Sequence, residues 1–234
     1  MTGTLYGLGI GPGDPDLITL KALRLLRAAP VLAYPAPEGG ESLARAIVAP
    51  HLPGTQVEVP IPIPMRPDPM PAQDAYDRAA AELSPHLDAG RDVAVLCEGD
   101  PFFYGSFMYL FARMAARHRV EVVPGVSSLA ACAAAVGRPL SARNDALAIL
   151  PAPMPAEDLR ARIEAADAAA IMKLGRHFAK VRAVLDELGL VGRARYVERA
   201  TLPNQRILPL DAVDPTEVPY FSMILVHKRG EVWS

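Results

Sequence analysis

Short apolar runs and longer amphipathic stretches take turns along the chain. Leu5 to Ile10 is almost wholly apolar, and from Leu17 to Ala28 apolar side chains recur at helical spacing while Lys21, Arg24 and Arg27 share the remaining side. The first run predicts a buried strand and the second an amphipathic helix that covers a sheet. The pattern repeats as Val31–Tyr34 then 42–49, Val93–Cys97 then 107–117, and Val120–Val123 then a small-residue helix within SSLAACAAAVG. Further on, strands are predicted near 146–150, 168–173, 195–197 and 223–227, with helices near 156–166 and 177–188. Strand and helix in alternation predict mainly parallel α/β sheets.

Two interruptions stand out. Between Pro60 and Pro71 six of twelve residues are proline, and lost amide donors with restricted dihedrals predict an extended loop there, either a spacer or a lid. At Pro124-Gly125 a strand stops, which places a domain boundary between an N-terminal half, 1–124, and a C-terminal half, 125–234.

At 234 residues the chain is long enough for two α/β domains. Basic residues number 24 and acidic ones 26, a balance that lacks the positive field of a nucleic-acid-binding protein. The N-terminus does not read as a leader and no apolar stretch is long enough to span a bilayer, so a cytoplasmic protein without a membrane partner is expected. Cys97 and Cys132 have no CxxC partner and the five histidines form no HxxxH pair, so no metal site is expected and both thiols read as packing residues.

Candidate chemistry gathers where strands end. The first strand runs into Gly9-Ile10-Gly11-Pro12-Gly13-Asp14-Pro15, the place where a sheet of this class binds ligands. A dinucleotide fits poorly. The GxGxxG spacing fails from either glycine, and 17–36 holds no acidic residue for a ribose. Pro12 and Pro15 withdraw amide donors, and Asp14 and Asp16 repel phosphate. A ligand with a positive centre fits better. A second Gly-Asp-Pro turn, Gly99-Asp100-Pro101, follows Val93–Cys97 and predicts two ligand loops on one sheet rim.

The ordered set GIGPGDP (9–15), EGDP (98–101), PGVSS (124–128), RPL (138–140), IMKLGR (171–176) and ATLPNQ (200–205) resembles the tetrapyrrole methylases along essentially the whole chain. That resemblance implies two α/β domains with a cleft between them for S-adenosylmethionine (SAM), a tetrapyrrole acceptor and a homodimer. It implies cofactor contacts at Gly99, Asp100, Ser127, Ser128, Lys173, Leu174, Ala200, Thr201 and Ser222. Within the family, CEGDPFFYGSFMYL (97–110) with ATLPNQ is most similar to members that methylate carbon 20 of precorrin-2 on the route to cobalamin. Whether such an acceptor carries cobalt stays open, as do a sister acceptor and, in another class, a nucleotide-binding module.

A sulfonium methyl needs no enzyme nucleophile, so alignment and water exclusion are the main levers expected, and PGVSS is not a GxSxG elbow. Pro12, Tyr104, Arg176 and Lys180 are candidate acceptor contacts. Lys173 and His177 complete a cationic group with the last two, and Arg138 and Arg143 add charge further off. These cations either meet acceptor carboxylates or solvate helix faces. Glu98, Tyr104 and His177 are the conceivable proton acceptors, with none preferred.

Overall fold

The structure, a computed structural model, describes residues 2–63 and 70–229, with backbone alone at 70–72. The chain divides into two compact units, Met1–Ser127 and Ser128–Ser234.

In the first unit, β1 (Thr4–Gly9), β2 (Val31–Pro37), β3 (Val57–Ile63), β4 (Val93–Cys97) and β5 (Arg119–Val123) form a parallel sheet in the order β3-β2-β4-β1-β5. Alternation along the strands splits their side chains between two cores. Leu5, Val31, Val93 and Val95 face α3 (Met70–Asp88) and α4 (Phe107–Met114), while Leu8, Leu32, Ala94 and Leu96 face α1 (Leu20–Ala28) and α2 (Leu43–Val48). Gly7 lets α4 sit directly on β1, since a Cβ there would lie 2.3 Å from the Phe107 ring.

Helix α1 starts three residues later than the apolar spacing predicts. Thr19 caps it, its hydroxyl accepting the Ala22 amide at 3.2 Å, and Leu17 belongs to a preceding single turn. Leu20 accordingly lies 84% exposed, although its spacing assigned it to the apolar face. Lys21, Arg24 and Arg27 are exposed as expected.

The proline-rich stretch departs further from expectation. Val57–Ile63 is a strand, and it is tolerated because it is an edge strand. The Val57 amide donates to Pro30 in the neighbouring segment at 2.9 Å, so the alternate nitrogens of Pro60 and Pro62 face the free edge, where no donor is required. Residues 64–69, the rest of the predicted loop and lid, lie outside the described residues. Helix α3 begins at Met70 with Pro71 in its first turn, a position that needs no amide donor.

The second unit is not the mainly parallel sheet predicted. β6 (Leu147–Pro151), β7 (Ala168–Met172), β8 (Ala194–Glu198), β9 (Arg206–Pro209) and β10 (Ser222–His227) lie in the order β6-β7-β10-β8-β9. Only β6 and β7 are parallel; β10 runs antiparallel to β7 and β8, and β9 antiparallel to β8. The long stretch 199–221 brings the chain back without a crossover helix, so its last strand enters the sheet reversed. Leu174, Phe178, Val181, Leu185, Tyr196 and Ile224 form its core with α6 (Ala156–Ala165) and α7 (Phe178–Glu187), while α5 (Ser128–Val136) opens the unit. Among the described residues, no helix is long and apolar enough to cross a membrane and no group of His, Cys, Asp and Glu is gathered to hold a metal.

Candidate functional site

In the first unit the carboxyl ends of β1, β4 and β5 meet at one rim. Gly11 and Gly99 form an antiparallel bridge, the Gly99 amide donating to the Gly11 carbonyl at 2.8 Å. Both have positive φ, +85° and +66°, a region that only glycine enters without cost. A Cβ on Gly125 would stand 2.1 Å from the Gly99 carbonyl oxygen, and one on Gly9 would stand 2.4 Å from the Gly125 nitrogen. Three backbones thus touch with no side chain between them.

Asp100 ties this rim together. One carboxylate oxygen accepts the Phe102 amide at 2.9 Å and the other the Gly125 amide at 3.0 Å. Asp14 caps the short turn Pro15–Leu17 in the same way, accepting the Asp16 amide at 2.9 Å. Burial pushes the Glu98 carboxyl up, its own amide and that of Ala44 pulling it partly back. Burial likewise pushes the thiols of Cys97 and Cys132 up to about 12, which leaves both as protonated packing groups.

In the second unit, antiparallel pairing brings residues far apart in sequence to one rim. Met172 pairs with Met223 and Glu198 with Ser222, so the chain after β7, the chain after β8 and the start of β10 all emerge together. Lys173 (φ 61°), Arg199 (φ 50°) and Thr201 (φ 67°) have left-handed backbones at this rim. A non-glycine residue held there costs of order 1–3 kcal/mol, and such strain concentrates at functional sites. Tyr104 shares the trait at the first rim (φ 55°). The Thr201 turn is clipped by Gln205, whose side-chain oxygen accepts the Thr201 amide at 2.7 Å.

Residues 4–214 match the family model described as Tetrapyrrole (Corrin/Porphyrin) Methylases. The chain belongs to the tetrapyrrole methylases. It is 44% identical to the cobalamin biosynthesis protein CobIJ of Mycobacterium tuberculosis over 96% of its own length and 46% of that protein's. The chain therefore spans about half the length of the first curated relatives it matches. It is 41% identical to the precorrin-2 C(20)-methyltransferase of Sinorhizobium sp, covering 96% of this chain and 95% of that one. Among solved structures it is similar to uroporphyrin-III C-methyltransferase from Thermus thermophilus complexed with S-adenosylhomocysteine, with TM-score 0.68, 27% identity and coverage of 97% and 92%.

Within this methylase, the first rim gathers Pro12, Gly99, Asp100 and Tyr104, and the second gathers Lys173, Leu174, Ala200, Thr201 and Ser222. Ser127 is the last residue of the first unit and Ser128 opens α5 of the second. Two of these side chains are engaged within the protein. Leu174 is wholly buried in the core, and the Ser222 hydroxyl donates to the Pro219 carbonyl at 2.6 Å. Leu174 can therefore offer only backbone to a ligand.

The cationic group is less open than its sequence suggests. Lys180 donates to the Met154 carbonyl, so its charge braces the loop after β6, whereas Arg176 is exposed beside His177. Burial, then Lys180 and Arg176, push the His177 imidazole down, because each disfavours its protonated form. Tyr104 is 43% exposed.

The sequence reading missed helix α3, strand β9 and Glu198. The glutamate stands two residues before ATLPNQ, at the buried end of a strand where a charge is unusual, and that misfit was its only signal.

Proposed function

We propose that this methylase transfers a methyl group from SAM to carbon 20 of precorrin-2, giving precorrin-3A on the route to cobalamin, and that it works as a homodimer. The observation that carries the cofactor reading is the charge of the first rim. Segments 9–16, 98–104 and 124–127 contain Asp14, Asp16, Glu98 and Asp100 and no Lys, Arg or His. Such a rim repels a pyrophosphate and suits a ligand with a sulfonium and an ammonium group. Its bare glycine backbones also permit the close approach that a compact cofactor needs.

Gly99, Asp100, Ser127 and Ser128 are the contacts proposed from the first rim and the chain that follows it. Lys173, Leu174, Ala200, Thr201 and Ser222 are those proposed from the second. SAM supplies a methyl already activated on sulfur. The protein's task is to aim an electron-rich ring carbon along the sulfur–methyl axis and exclude water, and alignment of that kind is worth roughly 7–11 kcal/mol of barrier. As carbon bonds to the methyl and sulfur leaves with its electron pair, the product sheds a proton. Arg176 is the cation proposed to meet an acceptor carboxylate, and Pro12 and Tyr104 the apolar surfaces for the ring.

The acceptor assignment rests on the Sinorhizobium relative, matched along nearly its whole length. It is tested by incubating the protein with SAM bearing a labelled methyl group and either precorrin-2 or its cobalt-bearing counterpart. One added methyl, located at carbon 20 by carbon NMR, is expected with the metal-free ring. A label at another carbon overturns the acceptor assignment, and binding of NAD in place of SAM or its demethylated product overturns the cofactor.

A further inference from the structure

We infer that Glu198 is the positioning residue for the cofactor rim of the second unit, an inference that rests on the SAM reading above. Glu198 is 2% exposed, at the end of β8. Its Oε2 accepts the Tyr196 hydroxyl at 2.5 Å, and its Oε1 accepts Arg199 Nη1 at 2.7 Å with Arg206 Nη1 at 3.5 Å. Both oxygens are thus committed within the protein, so the carboxylate acts through its neighbours rather than on a reactant.

Those neighbours lead to each part of the rim. Arg199 reaches down onto the carboxylate from a left-handed backbone, φ 50°, and immediately precedes Ala200 and Thr201. Arg206 lies opposite Glu198 on β9, and Ser222 opposite it on β10. Tyr196, fully buried, packs its ring edge-on against Phe178 at 5.9 Å, and Phe178 opens α7 directly after the 173–177 turn. One buried carboxylate therefore links the Lys173 turn, the Ala200-Thr201 turn and the Ser222 strand end.

An ion pair with a buried carboxylate and partly exposed guanidiniums is a poor source of stability, because desolvation of the carboxylate consumes much of its Coulombic gain, and the best-attested use of such a group is to hold one geometry against others. The geometry held here is specific. Among the described residues Glu198 is the partner of the Arg199 guanidinium. The Arg199 amide donates to the Phe221 carbonyl at 2.9 Å and its carbonyl accepts the Leu202 amide at 3.0 Å, so the carboxylate adds the side-chain tether to a left-handed turn that the backbone already closes. Release of the Arg199 side chain would loosen the turn that carries Ala200 and Thr201, and misplacement by about an ångström costs up to ~100-fold in rate.

The test is Glu198→Gln, which keeps size and an acceptor for Tyr196 while removing the charge that holds Arg199 and Arg206. A melt should remain cooperative. Calorimetry with S-adenosylhomocysteine should show the dissociation constant raised about tenfold or more. In turnover the KM for SAM should rise while that for the tetrapyrrole stays unchanged, a split that general loosening of the fold does not produce. Arg199→Ala, altering a partly exposed side chain, should shift cofactor affinity the same way and decides the matter if the glutamine variant fails to fold. Parent-like affinity in the folded variants overturns the inference and leaves the SAM reading intact. Failure of the parent chain to bind S-adenosylhomocysteine overturns both.

Discussion

The carboxylate of Asp100 spans the first rim to the backbone of Gly125, accepting its amide at 3.0 Å while its other oxygen caps Phe102 at 2.9 Å. The aspartate of the Gly-Asp-Pro turn thus works chiefly as a strut joining the ends of β4 and β5. Asp100→Ala leaves two amides without their charged acceptor. A loss of about 2–4 kcal/mol in unfolding free energy is expected, together with weakened cofactor binding. Asp100→Asn, which keeps one oxygen acceptor, should fall between. Denaturant unfolding and titration with S-adenosylhomocysteine measure both effects, and parent-like stability in the alanine variant refutes the strut.

Gly99 offers a sharper separation of binding from folding. Its φ of +66° makes Gly99→Val strained by of order 1–3 kcal/mol, within reach of a cooperative fold, and its branched side chain stands at the proposed cofactor loop. Most affinity for SAM should disappear while a single melting transition persists. Cys97→Ser, two residues earlier at the end of β4, is the control that should retain binding. A valine variant that binds like the parent removes this loop from the cofactor site.

Arg176 and Lys180, grouped together by sequence, should behave differently. Arg176→Ala should raise the KM for the tetrapyrrole several-fold with cofactor affinity unchanged, since the exposed guanidinium, bonded through Nε to His177, keeps its Nη donors for a carboxylate. Lys180→Ala should instead lower stability by about 1 kcal/mol by releasing the Met154 carbonyl. Steady-state kinetics and thermal melts on the two variants separate these outcomes. Equal effects on acceptor KM would return Lys180 to the acceptor site.

Glu98 predicts a pH signature. Its carboxyl titrates above the ordinary value because burial disfavours the charged form. The folded state therefore binds a proton that the unfolded state has already released. Its contribution to stability is fully present below the unfolded pKa and is lost as pH rises through the raised folded one. Glu98→Gln should melt above the parent at pH 7–8, with the gap closing toward pH 4. A gap that is constant across this range contradicts the assignment.

Much of this protein is legible in its residues alone. Short apolar runs and helical periods locate most strands and helices, because a strand buried on both faces is apolar throughout and a covering helix is apolar on one side, and Val93–Cys97 is found to the residue. The glycines and prolines of 9–15 and 98–101 announce rim loops because few other residues permit those backbones. What pattern cannot supply is direction and partnership. Whether β10 enters the sheet parallel or reversed depends on how residues 199–221 travel, and apolar alternation reads the same either way. The prolines at 60 and 62 are compatible with a strand only because β3 lies at an edge, a fact of sheet order. Glu198 looks like any charged residue in a list; Tyr196 and Arg199 are its sequence neighbours, but its burial and the β9 pairing that brings Arg206 opposite it are decided by tertiary packing, which turns it from a misfit into the brace of a rim. Local chemistry is written residue by residue, whereas which strand ends meet is decided by pairings across dozens of intervening positions.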